Sequence, residues 1–332
     1  MAAGLARQHE AARLPSPWWR DRALLAAFAG VAVLAALFLA PPVPRAGVAS
    51  PPPVTIAVAD LRGHALAIVD TARPGAARRI PLPGGPHEVV ALPDGRLVVS
   101  LEQYAALAVV DVASGEVTRL AVGGIPHGLA VDATTLYVTD RSIDAVRRFA
   151  LGTWAEHPPL AAGAMPHIVA SSTDGTLLVA NAGDDTLSVG GRALAVSHVP
   201  ESVAVGAGGI VATAGSIGGT LHFFDASGAP VAEHELGGRP VRLQYDPDGR
   251  LLAAALSAEG AVALLDRPGG EVRRVTVGGV PDGLAFSPDG RWLYVGDMYG
   301  GDVAVVDVRT ARLVQRFPAG RTAGALLVLP ER

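Results

Sequence analysis

The stretch Gly278–Phe317, GGVPDGLAFSPDGRWLYVGDMYGGDVAVVDVRTARLVQRF, decides the fold. It holds four short apolar runs, GLAF, WLYVG, VAVVDV and LVQRF, parted by turn residues. Pro288-Asp289-Gly290 is a turn with a mechanism: proline presets φ, and aspartate and glycine accept the conformations that a tight reversal needs. One such unit reads as a four-stranded antiparallel sheet, and the chain writes it repeatedly.

Aligned on the proline that opens each unit, the copies start at Pro86, Pro126, Pro166, Pro200, Pro240 and Pro281. A period near 40 residues with four strands per unit is the signature of a β-propeller. The first turn recurs as Pro93-Asp94-Gly95, Asp174-Gly175 and Pro247-Asp248-Gly249. The third strand recurs with a closing aspartate at Asp70, Asp111, Asp225, Asp266 and Asp307, each expected to cap its turn. The ends explain each other. Gly320–Pro330 supplies one opening strand and stops, whereas the domain begins at Val54 with a unit that lacks one. Joined, they make a seventh blade and pair edges that would otherwise be open. The expected fold is all-β, a seven-bladed propeller of four-stranded antiparallel blades closed by a composite blade.

Units of this form, with LYVTD at 136–140, LVAN at 178–181 and LYVGD at 293–297, resemble the YVTN-type β-propeller repeat family. The resemblance spans Val54 to Pro330. Units four and five depart from it, since VATAG and LAAAL lack the polar residue. It implies an extracytoplasmic binding platform, and the fold by itself assigns no activity.

In a propeller the first strand of each blade lines the central channel. Three units place histidine after the opening proline: His87, His127 and His167. The equivalent position holds Glu201, Val241, Asp282 and Gly324 elsewhere. The exits of the second strands share that face and hold Asp60, Glu102, Asp140, Asn181 and Asp297. The expected site is therefore a channel rim of His87, His127, His167, Glu201, Asp282, Asp140, Asn181 and Asp297. Imidazoles beside carboxylates suit a divalent metal, with His87, His127 and His167 as ligands, or general acid–base chemistry. The competing reading is that Pro-His is this repeat's habitual turn, copied by duplication. Gly206-Ala207-Gly208-Gly209 reads as a turn rather than a nucleotide loop, because no helix follows.

Residues 23–40, ALLAAFAGVAVLAALFLA, are an unbroken apolar run of 18, long enough to span a bilayer as a helix. Arg7, Arg13, Arg20 and Arg22 precede it, which keeps the N-terminus cytoplasmic. The reading is a cytoplasmic stub at 1–22, an uncleaved transmembrane anchor at 23–40, a proline-rich linker at 41–53 and the propeller at 54–332. The propeller then lies on the periplasmic side of a bacterial cytoplasmic membrane. A cleaved signal peptide is the alternative, and it exports the same domain.

Composition excludes several chemistries. There is no cysteine, so no disulfide, thiol nucleophile or iron–sulfur cluster, and all 27 basic residues are arginine, so no Schiff-base or Walker lysine. A net charge of −4 gives nucleic acid no electrostatic foothold. Two functions stay open: a module that binds a periplasmic protein or small molecule at the histidine-bearing mouth, or a metal-dependent lyase or lactonase using the same histidines.

Overall fold

The structure, a computed structural model, describes residues 50–330. The repeated apolar runs form seven four-stranded antiparallel sheets. Within the quoted unit, Trp292–Asp297 and Asp302–Asp307 are buried almost throughout, because neighbouring sheets cover both of their faces. Such strands need continuous apolar runs rather than alternation, which is why WLYVG and VAVVDV read as they do. The outermost strands meet solvent, and Glu156–Ala161 is exposed along its whole length.

The inner strands are Val89–Ala91, Pro126–Val131, Pro166–Ser171, Pro200–Val205, Pro240–Tyr245, Pro281–Phe286 and Leu326–Leu329. Each contacts the next, and Leu326–Leu329 meets both Pro281–Phe286 and Val89–Ala91, so the ring is closed. Numbering blades from the composite one, blade 1 pairs Thr55–Asp60 with Leu326–Leu329 in antiparallel register, Thr55 opposite Leu329 and Val58 opposite Leu326. The expected seven-bladed, composite-closed propeller is what the chain forms. The stub and anchor expected for 1–40 lie outside the described residues, as does the linker except for its last four. Among the described residues no helix is long and apolar enough to cross a membrane.

The recurring aspartates divide into two structural jobs. At the end of the third strand, Asp70, Asp111, Asp225 and Asp307 accept turn amides two residues on, as in Ala72 N–H to Asp70 at 2.9 Å and Arg309 N–H to Asp307 at 3.0 Å. At the exit of the second strand, Asp60, Asp140 and Asp297 clamp the loops of the opposite face. Asp140 Oδ1 accepts from the Ile125 amide at 2.9 Å and the Ser142 amide at 3.0 Å. Asp297 Oδ1 accepts from the amides of Val280, Tyr299 and Gly300. Glycine is required beside this clamp: Gly279 has φ +62°, and a Cβ there would lie 1.9 Å from Asp297 Oδ2. Asp60 ties the strand Thr55–Asp60 to the C-terminal segment of the propeller, accepting from the amides of Arg321 and Thr322 at 3.0 and 2.9 Å.

Asp297→Ala orphans three amides at once, and the expected cost is about 2–3 kcal/mol of stability in urea unfolding. A loss below about 0.5 kcal/mol would show that the clamp is dispensable. Arg147, which replaces an apolar position on the third strand of blade 3, ties blades 2 and 3. Its guanidinium grips Glu156 at 2.7 and 2.9 Å and donates to the carbonyl of Val122.

Candidate functional site

The residues after the opening prolines sit on a recurrent irregularity. The register between first and second strands shifts between Pro126 and Leu129, Pro166 and Val169, Pro200 and Ser202, Pro240 and Arg242, and Pro281 and Leu284. A bulge of this kind re-aims side chains, and here it turns the residues that follow each proline toward the channel. Buried hydroxyls hold the bulges in place. Ser100 Oγ accepts from the Glu88 amide at 3.0 Å, and Thr139 Oγ1 donates to the His167 carbonyl at 2.7 Å.

Three of the expected residues are brought together tightly. The rings of His87 and His127 have centroids 4.2 Å apart, and those of His127 and His167 are 4.0 Å apart. His127 is 1% exposed, whereas 24% of the His87 side chain is accessible. His127 Nδ1 lies 3.0 Å from Glu102 Oε2, and Arg141 donates to Glu102 Oε1 at 3.1 Å. An ionised carboxylate only accepts, so Nδ1 carries the proton and Nε2 the lone pair. His167 Nδ1 likewise donates to the Glu201 carbonyl at 2.7 Å. Anchoring one ring nitrogen to an acceptor leaves the other free to ligate. His127 Nε2 and His87 Nδ1 are both buried without a hydrogen-bond partner among the described residues.

Glu88 and Arg242 are part of this site although the sequence reading passed over them. They come from blades 2 and 6, as far apart as two blades of seven can be, and meet across the channel. Arg242 Nη2 and Nη1 donate to Glu88 Oε1 at 2.5 Å and Oε2 at 3.1 Å, a bidentate pair. Asp282 Oδ1 stands 3.7 Å from the same guanidinium. A signal existed in the sequence: both follow the aligned position, where the other blades have Gly128, Ile168, Ser202, Gly283 and Ala325. From this pair a cavity of about 500 Å3 runs along the inner strands, walled by Leu129, Ile168, Val203, Leu243 and Leu284, and no histidine of the cluster lines it.

The remaining expected rim residues are placed elsewhere in role. Asp140 and Asp297 are occupied by backbone amides, as described above. Asn181 Nδ2 donates to Thr186 and Ser188 hydroxyls at 3.0 and 2.9 Å. Glu201 contributes its carbonyl to His167, while its carboxylate accepts from Ser216 at 2.7 Å. The ligand atoms that fall within 4.8 Å of one another are those of His87, Glu88 and His127. His167 packs against this group through His127, their rings tilted by 56°, but is not one of the three.

Charge distribution separates the histidines. Burial, reinforced by the charge of His87, holds His127 down to about 4. His167 is pushed well below the usual range, again by burial and then by His127 and Arg242. His87 is raised: burial opposes its charge, but Glu88, Glu102 and Asp282 outweigh it. Burial raises the Asp282 carboxyl, only partly offset by Arg242.

The sign for stability follows. Below the unfolded histidine pKa near 6.5, the unfolded chain takes up protons that folded His127 and His167 refuse, so their contribution is lost as pH falls from about 6.5 toward 4. His87 acts in the opposite direction, its contribution being present below 6.5 and lost as pH rises through its raised value. The expected imidazole titration by nuclear magnetic resonance therefore has one ring titrating above 6.5 and one near 4. Three rings titrating together near 6.5 would contradict this arrangement.

Fold and site together define a seven-bladed β-propeller with a histidine–carboxylate cluster beside the starts of its inner strands. No protein-family model matches the chain, and no curated protein matches it. Solved structures resemble it in fold. Hydrazine synthase of Kuenenia stuttgartiensis is 24% identical with a TM-score of 0.63, over 72% of this chain and 88% of that one. The periplasmic gluconolactonase of Pseudomonas aeruginosa is 18% identical with a TM-score of 0.66, over 84% and 99%. Virginiamycin B lyase of Staphylococcus aureus is 13% identical with a TM-score of 0.62, over 73% and 90%.

Proposed function

We propose that this chain is a membrane-anchored, extracytoplasmic propeller of the YVTN type that binds its ligand at the histidine-bearing mouth through a divalent metal. One observation carries the reading. Three clustered imidazoles present two buried ring nitrogens, His127 Nε2 and His87 Nδ1, that have no hydrogen-bond partner among the described residues. Buried polar atoms are otherwise almost always paired, and an unpaired one calls for an explanation. A borderline cation such as zinc suits imidazole and carboxylate donors, and His87, Glu88 and His127 would hold it. Glu102 orients His127 as carboxylates orient metal-bound histidines. The pairing of Pro-His with a bulge is the same in blades whose aligned residue is not histidine, so the turn alone does not require imidazole.

The anchor has its support in residues 23–40 of the sequence, and the exported location follows from it. Such a propeller serves as a binding module for a periplasmic protein or small molecule. A metal-dependent lyase or lactonase is the second reading, favoured by the same donor group of His87, Glu88 and His127, with Glu102 orienting His127. The gluconolactonase and lyase neighbours lend it the precedent of their shared fold.

The test is elemental analysis of the full-length chain, chelated and reloaded. The expected result is one zinc per chain, lost when His87→Ala, His127→Ala and His167→Ala are combined while circular dichroism stays native. Wild-type protein without stoichiometric metal would refute the metal centre.

A further inference from the structure

Arg242 and a metal would compete for the same carboxylate. Glu88 offers a carboxylate oxygen to the ligand group with His87 and His127, and both of its oxygens already accept from Arg242, Oε1 from Nη2 at 2.5 Å and Oε2 from Nη1 at 3.1 Å. Glu88 Oε1 also lies 3.7 Å from His87 Nδ1. A second carboxylate is within reach of the guanidinium, since Asp282 Oδ1 is 3.7 Å from Nη2. All three charged side chains are poorly accessible, at 10–14% of their free area.

We propose that Arg242 is the resident cation of this centre, holding Glu88 while no metal is bound and yielding it on loading by shifting onto Asp282. The inference rests on the metal reading of the site. A divalent ion bound by Glu88 beside a fixed guanidinium would face like-charge repulsion in a weakly screened setting. Asp282 gives the displaced guanidinium a partner, so no charge is left unpaired. The exchange also changes the channel. The Glu88–Arg242 pair joins blades 2 and 6 across the opening, and both residues line the cavity of about 500 Å3. A pair between Arg242 and Asp282 joins only the adjacent blades 6 and 7. Metal loading thus removes the bar across the channel and connects the histidine mouth to the cavity beyond it.

Zinc titration calorimetry on the chelated full-length chain in detergent tests this with wild type, R242Q, R242K and D282N. R242Q is expected to bind zinc about tenfold to hundredfold more tightly, the range over which groups around a metal site tune affinity. D282N should bind several-fold more weakly, because Arg242 loses its alternative partner. In an E88Q background the gain from R242Q should largely disappear. Unchanged or weaker binding by natively folded R242Q overturns the exchange. Should R242Q fail to fold, R242K decides: a single ammonium grips a carboxylate less well than the guanidinium fork, so tighter binding is expected and equal binding refutes. Zinc binding by neither wild type nor the variants overturns the metal reading itself, whereas equal binding by all of them overturns only the role of Arg242.

Discussion

Ending the chain at Ala323 is expected to abolish the closed ring. The truncation removes Leu326–Leu329, the inner strand of blade 1, and with it the pairing from Thr55–Leu329 to Val58–Leu326. It also removes the Gly324 amide's bond to the Ala59 carbonyl at 3.0 Å and the Ala59 amide's bond to the Ala325 carbonyl at 2.9 Å. Ile56 and Val58, both 0% exposed in the closed ring, lose the partner strand beside them. Thr55–Asp60 becomes an open, apolar edge of the kind that templates aggregation. The loss amounts to a large share of the ~5–15 kcal/mol by which domains are typically stable. The expected readout is loss of the near-ultraviolet signal of Trp292, whose cluster includes Leu326, together with aggregation on expression. A truncated chain that stays monomeric with an unchanged melting temperature would contradict closure by the composite blade.

Arg242→Met is expected to be the most damaging single substitution at the site. It leaves the Glu88 carboxylate buried with its bidentate partner gone, and breaking one side of a buried pair costs about 3–5 kcal/mol. Replacing both members, Glu88→Leu with Arg242→Met, should restore most of that stability, because no uncompensated charge remains. Denaturant unfolding of the two singles and the double measures the coupling directly. A single-mutant loss below about 1 kcal/mol would mean that the pair is solvated rather than holding the channel.

The fold was legible because its signals are local and repeated. A Pro-Asp-Gly turn, a closing aspartate on the third strand and a period near 40 fix blade and count, and the mismatch of the two ends announces the composite blade. The site was legible only where the repeat has a habitual position. His87, His127 and His167 fall on it, and the structure packs their rings together. Asp140, Asn181 and Asp297 share the same face, yet the two aspartates accept amides of adjoining loops and the Asn181 Nδ2 donates to the Thr186 and Ser188 hydroxyls. A strand-two terminus is a loop clamp before it is a rim. Glu88 and Arg242 were hidden for the opposite reason. Their partnership spans 154 residues and depends on a bulge that turns a second residue of the inner strand toward the channel. Pattern within a blade carries no information on which blades face each other across it.

Diffraction at the zinc absorption edge, from crystals of the zinc-loaded full-length protein, tests the histidine mouth most directly. One anomalous peak per chain is expected, with imidazole nitrogens of His87 and His127 at ~2.0–2.1 Å from it and Glu88 as a further ligand. A channel mouth without a peak, or zinc bound only at surface carboxylates, would contradict it.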